Sequence, residues 1–403
     1  MTSQVAVTNF NGIAVASDTI VSISTSEGIK TMGNAEKVFD LGQDHKVLIL
    51  HSGNADLNEV SNWLQLNEWI NTLTNPLATL QDYVDSYLSW SNSSKNLHIQ
   101  DSESRCMNYC LNDHYYYIKH RIQEKYDHLT SQLTDEESLF SESDYLLEVD
   151  EVITTVIGEA KEYLESLPNY DGFSDNDAAY ALSKSEIDLK EKLDFIFEGL
   201  PLNDGNYVEL STQAAMILSR AQNMNSDSIL AFAGFGLLEP FGGNIRVRLR
   251  GFYGGGLRAQ VDEKFSVSPD GSKSTISHFA QGGAIFMFVR GLHSQIYDKI
   301  METVEKLVNQ RIENDPGKNV GAEIVAELSE ELNDYSQTNF VTPLLATIEG
   351  MSTLSLADFA ESLVGLQITS TLSENSTATV GGFIEVATID RAHGVVWRKR
   401  LSK

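Results

Sequence analysis

Two hydrophobic periods divide the chain. The first 55 residues read as strands, in short β-rich runs, with apolar and small polar residues alternating at Ile20-Val-Ser-Ile-Ser. Val5-Ala-Val-Thr-Asn-Phe and Ile13-Ala-Val-Ala-Ser flank Asn11-Gly12, a two-residue hairpin signal. Ile20-Val-Ser-Ile-Ser continues extended. Lys37-Val-Phe-Asp-Leu and Lys46-Val-Leu-Ile-Leu-His pair around Gly42-Gln-Asp. Ser52-Gly53-Asn54 ends this block, and Ala55-Asp56-Leu57 is expected to open a helix. From Asp56 to about Met224 the period becomes helical, as in Leu77, Leu80, Tyr83, Val84 and Tyr87. Turn residues at Asn169-Tyr-Asp-Gly and Pro201-Leu-Asn-Asp-Gly punctuate several antiparallel helices. Strands return at Ser228-Ile-Leu-Ala-Phe-Ala-Gly-Phe-Gly, Asn244-Ile-Arg-Val-Arg-Leu-Arg, Gly254-Gly-Gly-Leu-Arg-Ala-Gln-Val and Ser274–Phe279. Helical patterns cover about 284–312, 320–332 and 356–365. Val380-Gly-Gly-Phe-Ile-Glu-Val-Ala-Thr-Ile-Asp and Gly394-Val-Val-Trp-Arg close the chain as a hairpin. The order strands, helices, strands, helices, strands predicts an α+β protein with two sheets between helical layers rather than βαβ units.

Composition narrows the function classes. The 403 residues carry 57 Asp+Glu against 29 Lys+Arg, a formal charge of −28. Such a surface argues against a nucleic-acid or anionic-membrane partner, both of which need positive charge. Two cysteines make no disulfide framework, which suits a reducing cytoplasm. No apolar run approaches the roughly 20 residues of a membrane span, and the opening residues lack the basic and apolar regions of a signal peptide. The acidity concentrates between 96 and 205, with about 25 acidic against about 8 basic residues. Residues 2–95 and 206–403 are expected to form the core, and 96–205 an acidic helical insertion.

Candidate chemistry begins at Thr2. Aminopeptidases remove an initiator Met that precedes a small residue, which makes Thr2 the expected first residue of the mature chain. An α-amine with a pKa near 8 then sits beside its own hydroxyl and can accept the hydroxyl proton. The run Thr2…Gly12-Ile-Ala-Val-Ala-Ser-Asp18, then Lys37-Val-Phe, then Ser52-Gly-Asn-Ala-Asp56, resembles the opening of proteasome β-type subunits and their bacterial or phage relatives. Later segments agree: Ser228-Ile-Leu-Ala-Phe-Ala-Gly, Phe279-Ala-Gln-Gly-Gly, Leu354-Ser-Leu-Ala-Asp-Phe-Ala-Glu-Ser-Leu-Val and Val380-Gly-Gly-Phe-Ile-Glu-Val-Ala. The resemblance covers about half the chain, the rest being insertion.

The resemblance implies a four-layer αββα sandwich, the Ntn-hydrolase fold, with a large helical insertion. It implies a threonine-type amidohydrolase, most plausibly a peptidase, that cleaves peptide or other amide substrates through an acyl-enzyme on Thr2. Asp18 takes the place of the supporting aspartate and Gly53 that of the oxyanion donor. The family lysine position, counted by spacing, falls on Met32 or Gly33. Lys30, two residues before Met32 and so on the same strand face, is the nominated ammonium, and Lys37 is the next candidate. Three auxiliary polar positions of the family fall on Gly283, Thr377 and Val380. The rival reading is a catalytically degenerate scaffold retained as an interaction protein. Family members assemble into rings or helical stacks, so a homo-oligomer is expected. Neither nucleic acid nor membrane is expected as a partner.

Other constellations are weaker. Cys106, Cys110 and His114 share a helix face at spacing four, where packing outweighs zinc ligation. No cofactor and no metal is expected. Gly242-Gly243 and Gly254-Gly-Gly lack the phosphate-loop pattern and read as strand turns. His51, just before the Ser-Gly turn, reads as a buried strand histidine near a cleft.

Overall fold

The computed structural model describes residues 2–401, apart from 26–27, 43, 95–98, 100, 136–141, 225, 312–319 and 375–378. The opening strands are β1 (Ser3–Asn9), β2 (Gly12–Asp18), β3 (Val21–Thr25), β4 (Gly28–Met32), β5 (Val38–Asp40) and β6 (Lys46–Gly53), followed by the short pair β7 (Asp56–Leu57) and β8 (Val60–Ser61). Seven helices come next: α1 (Asn62–Ile70), α2 (Leu80–Ser93), α3 (Ser102–Asp135), α4 (Glu142–Ser166), α5 (Asp175–Lys184), α6 (Leu189–Ile196) and α7 (Asp204–Ser219). Then come β9 (Ser228–Phe235), β10 (Gly243–Tyr253), β11 (Gly256–Ser266) and β12 (Ser274–Ala280). The final helices are α8 (Gly283–Arg290), α9 (Ser294–Arg311), α10 (Val320–Ser336), α11 (Thr342–Glu349) and α12 (Thr353–Glu374), and β13 (Ile384–Asp390) and β14 (Gly394–Lys399) close the chain.

The chain is α+β, with antiparallel sheets. One five-stranded sheet runs β12-β1-β2-β13-β14 and a second runs β11-β10-β9-β6-β5. Period-two alternation assigns their faces. Val5 and Val7 of β1, with Ala14 and Ala16 of β2, pack with Ile285 of α8 and with Leu356, Ala360 and Val364 of α12. Their neighbours Ala6, Ile13 and Val15 pack with Leu48 and Leu50 of β6 and with Ala231 and Ala233 of β9, from the other sheet. On the far side of that second sheet, Ile49, Phe232 and Val247 meet Leu66 and Trp69 of α1 and Tyr83 and Tyr87 of α2. Each buried Val, Leu, Ile or Phe among these contributes about 1.5–3 kcal/mol relative to exposure. A further cluster joins α3 to α7 and reaches from Cys106 to Ala221, with Tyr253 at the end of β10 as its contact to the sheets. Within it, Ser174 with Asp177 and Asn203 with Asn206 form capping boxes that start α5 and α7.

Four expectations change in the structure. The helix expected at Asp56 starts at Asn62, because Asn58 and Glu59 adopt φ of 49° and 68° and turn the chain into the β7–β8 hairpin. Asn58 then bonds back to β10, its Nδ2 donating to Phe252 O at 2.8 Å and its Oδ1 accepting from Phe252 N at 2.6 Å. The helix expected over 284–312 breaks at Gly291, whose left-handed conformation caps α8. The closing strand begins at Ile384 rather than Val380, since Gly381 and Gly382 form a turn. Residues 21–32 form a separate two-stranded hairpin, β3–β4. Among the described residues no helix is long and apolar enough to cross a membrane.

Candidate functional site

Thr2 lies just before β1 and is buried, its carbonyl accepting from the Gln281 N–H at 2.8 Å. It continues the even-numbered series of Gln4 and Ala6, whose side chains face the second sheet. Asp18 ends β2 and is fully buried. One of its oxygens accepts from the Ser3 N–H at 2.9 Å and from the Lys37 ammonium at 2.8 Å. The other accepts from the Gly381 N–H at 3.0 Å. One carboxylate thus ties the residue after Thr2, the Lys37 side chain and the turn before β13.

Lys37 enters β5 from a buried position and also donates to Ile20 O at 2.5 Å. Burial pushes its ammonium below the ordinary lysine range, and the Asp18 charge and hydrogen bond offset part of that. The lysine that meets Asp18 is therefore Lys37. Lys30, the nominated residue, stands exposed on β4 opposite Ile23. Spacing ranks Lys30 ahead of Lys37, whereas the β3–β4 hairpin sets the distance between Asp18 and β5 and brings Lys37, the second candidate, to Asp18. The usable signal was local: Lys37 immediately precedes the buried pair Val38-Phe39, so it stands at a strand entry.

Gly53 ends β6 with φ of +79°, and a Cβ there would lie 2.1 Å from Asp227 O. The residue is therefore glycine for both conformational and steric reasons. The Asn54 N–H donates to Asp227 O across to β9 at 3.0 Å. Antiparallel pairing alternates the direction of successive N–H groups, so the Gly53 N–H points away from β9. His51 lies two residues earlier with the same orientation, and its N–H donates to Lys37 O at 2.8 Å. The Gly53 amide thus faces the side of β6 on which Lys37 lies.

His51 itself is a packing histidine. Its Nε2 lies 3.0 Å from Asn54 O and 3.1 Å from Asn62 Nδ2, and Asn62 Nδ2 also donates to Ser228 Oγ at 2.9 Å. Burial lowers its pKa to about 4, a hydrogen bond to Asn54 opposes this, and the Lys37 charge adds to it. The ring is neutral near pH 7 and braces the turn that carries Gly53.

Of the auxiliary positions, Gly283 is exposed at the first residue of α8, and Val380 is fully buried. Thr377 lies outside the described residues. Cys106 and Cys110 are buried free thiols in the helical cluster. His114 Nδ1 lies 2.9 Å from Gln222 Oε1. Among the described residues no group of three or more His, Cys, Asp or Glu is arranged to hold a metal ion.

No protein-family model matches the chain, and no curated protein sequence matches it. Among solved structures, an Anbu mutant from Hyphomicrobium sp. strain MC1 is similar at 10% identity and a TM-score of 0.29, over 99% of this chain and 86% of its own. Anbu (ancestral beta-subunit) from Yersinia bercovieri is similar at 9% identity and a TM-score of 0.28, over 98% of this chain and 86% of its own. A likeness this slight says nothing of the chemistry.

Proposed function

We propose that the chain is a threonine-type N-terminal nucleophile hydrolase of amide bonds, a proteasome-like peptidase working through Thr2 freed as the first residue. The observation that carries this reading is the buried Asp18–Lys37 pair, which shares a carboxylate oxygen with the backbone of Ser3. A buried ion pair is an expensive structural element. Placed one residue from a buried threonine, it supplies fixed charge where a nucleophile needs its protonation controlled.

The chemistry follows from the arrangement. The neutral Thr2 α-amine takes the hydroxyl proton as Oγ1 attacks the substrate carbonyl. The Gly53 N–H stabilises the developing oxyanion. The Lys37 ammonium, held by Asp18, favours the alkoxide electrostatically. The amine returns its proton to the leaving nitrogen, and water then hydrolyses the ester on Thr2. In this reading the sheets and the helices outside them form the four-layer αββα sandwich of Ntn hydrolases. The core comprises 2–95 and 206–403, with 96–205 as the acidic insertion, and the assembly is a cytoplasmic homo-oligomer. A silent scaffold is the second reading, and one observation favours it: the auxiliary positions hold an exposed glycine at 283 and a buried valine at 380.

The test is intact mass after expression without an N-terminal tag, before and after a threonine-directed β-lactone. The expected result is a chain beginning at Thr2 that gains one adduct, and no adduct in Thr2→Ala. A freed Thr2 that neither the lactone nor an epoxyketone labels, in a chain that hydrolyses no peptide amide, supports the scaffold instead.

A further inference from the structure

Gln4 is fully buried on the face of β1 that looks toward the second sheet. Its Nε2 donates to Ser17 Oγ at 3.1 Å, to His51 O at 3.1 Å and, more weakly, to Lys37 O at 3.4 Å. Two of those partners are carbonyls, which accept only, so the amide orientation is settled by chemistry. Each contact falls beside a residue of the proposed site. Ser17 precedes Asp18, Lys37 is the buried cation, and His51 lies two residues before Gly53. Thr2 lies two residues before Gln4 on the same strand face.

The amide is only half satisfied. Its Oε1 is buried and has no hydrogen-bond partner among the described residues. A buried acceptor without a partner carries a desolvation penalty that offsets the gain from the donors. Removing the carboxamide would leave His51 O without this donor, while Lys37 O keeps the His51 N–H at 2.8 Å. It would also remove the orphaned Oε1. The neighbouring positions along the two strands, Ala6 and Leu50, belong to the apolar cluster between the sheets, and a methionine has a length similar to glutamine.

We propose that Gln4 is a positioning residue for the Thr2 reaction, its one carboxamide setting the distance between the nucleophile strand and the segments that carry Asp18, Lys37 and Gly53. The proposal rests on the reading of Thr2 as nucleophile. Gln4 touches neither substrate nor the reacting atoms. It acts by holding the gap between the sheets at one width beside Thr2.

The experiment compares wild type, Gln4→Met and Val5→Ala. Val5 lies on the opposite face of the same strand, against α12. Labelling by the β-lactone is followed by intact mass at several probe concentrations and pH values, beside thermal melts. For Gln4→Met the expected kinact falls about 10- to 100-fold, the scale of an ångström-sized misplacement. KI stays within about twofold, the pH midpoint of labelling moves, and Tm changes by no more than about 3 °C. For Val5→Ala, Tm falls and kinact holds. Unchanged kinact and pH midpoint in Gln4→Met overturn the proposal and leave the Thr2 reading intact. A kinact that tracks Tm in both variants makes Gln4 merely structural and also overturns it. Absence of any adduct on wild type overturns both readings together.

Discussion

Replacing Lys37 with methionine exposes the energetics on which the site depends. The Lys37 ammonium is 2.8 Å from Asp18 Oδ1, and both side chains are almost wholly buried. At an effective dielectric constant of about 20, two unit charges at that range attract by about 6 kcal/mol. Desolvation of the two ions, several kcal/mol each, consumes most of this, so the intact pair contributes little net stability. Breaking it is different. Lys37→Met leaves a buried carboxylate with the Ser3 and Gly381 N–H groups as its remaining donors among the described residues. The expected cost is about 3–5 kcal/mol near neutral pH. Adding Asp18→Asn removes the stranded charge, so the double variant should be more stable than the sum of the single losses by about 1–3 kcal/mol. Urea unfolding followed by circular dichroism measures all four corners of the cycle. Lys30→Met is the control and should stay within about 0.5 kcal/mol of wild type, as an exposed position does. Lys37→Met within that same margin, or an equal loss from Lys30→Met, would refute the account of the buried pair.

Three further outcomes follow from particular contacts. Gly53→Ala should cost more than about 3 kcal/mol and lower Tm visibly, because its Cβ meets Asp227 O at 2.1 Å in a left-handed conformation. Asn58→Ala should cost about 1–3 kcal/mol in urea unfolding, since it removes the Asn58 Oδ1 that accepts from the buried Phe252 N–H at 2.6 Å and a residue suited to positive φ. His114, buried beside Gln222, has its pKa lowered by burial from 6.5 to about 4. The unfolded chain binds that proton more readily, so stability is lost as pH falls from about 6.5 to about 4, by up to about 3 kcal/mol. In His114→Gln that part of the urea-midpoint dependence on pH should flatten.

The strands of both sheets were legible because short β-rich runs and turn residues occur together. Val5-Ala-Val shows this most directly, since its outer residues pack on α12 and its middle residue packs on β6 and β9. Asp18 was legible as a strand end, and Gly53 as a turn that only glycine fits. Lys37 was legible only as the second candidate, because spacing does not report how many residues a hairpin such as β3–β4 places between two strands. Gln4 was invisible for a related reason. A lone polar residue in an alternating strand reads as solvent-facing unless a second sheet covers it. The start of α1 was misplaced because Asn58 and Glu59 interrupt a helical pattern through backbone conformation rather than hydrophobicity. The break at Gly291 is a glycine signal inside an otherwise continuous apolar period.

The central claim is that the buried Lys37–Asp18 pair serves the Thr2 hydroxyl. The most direct test is the rate of adduct formation on Thr2 in Lys37→Ala and Lys30→Ala, measured side by side by intact mass on folded protein. The account predicts a loss of about 100-fold or more for Lys37→Ala, the scale of a removed charge partner in proton-transfer catalysis, and a change within about twofold for Lys30→Ala. Equal rates in the two variants, or a larger loss from Lys30→Ala, would contradict it.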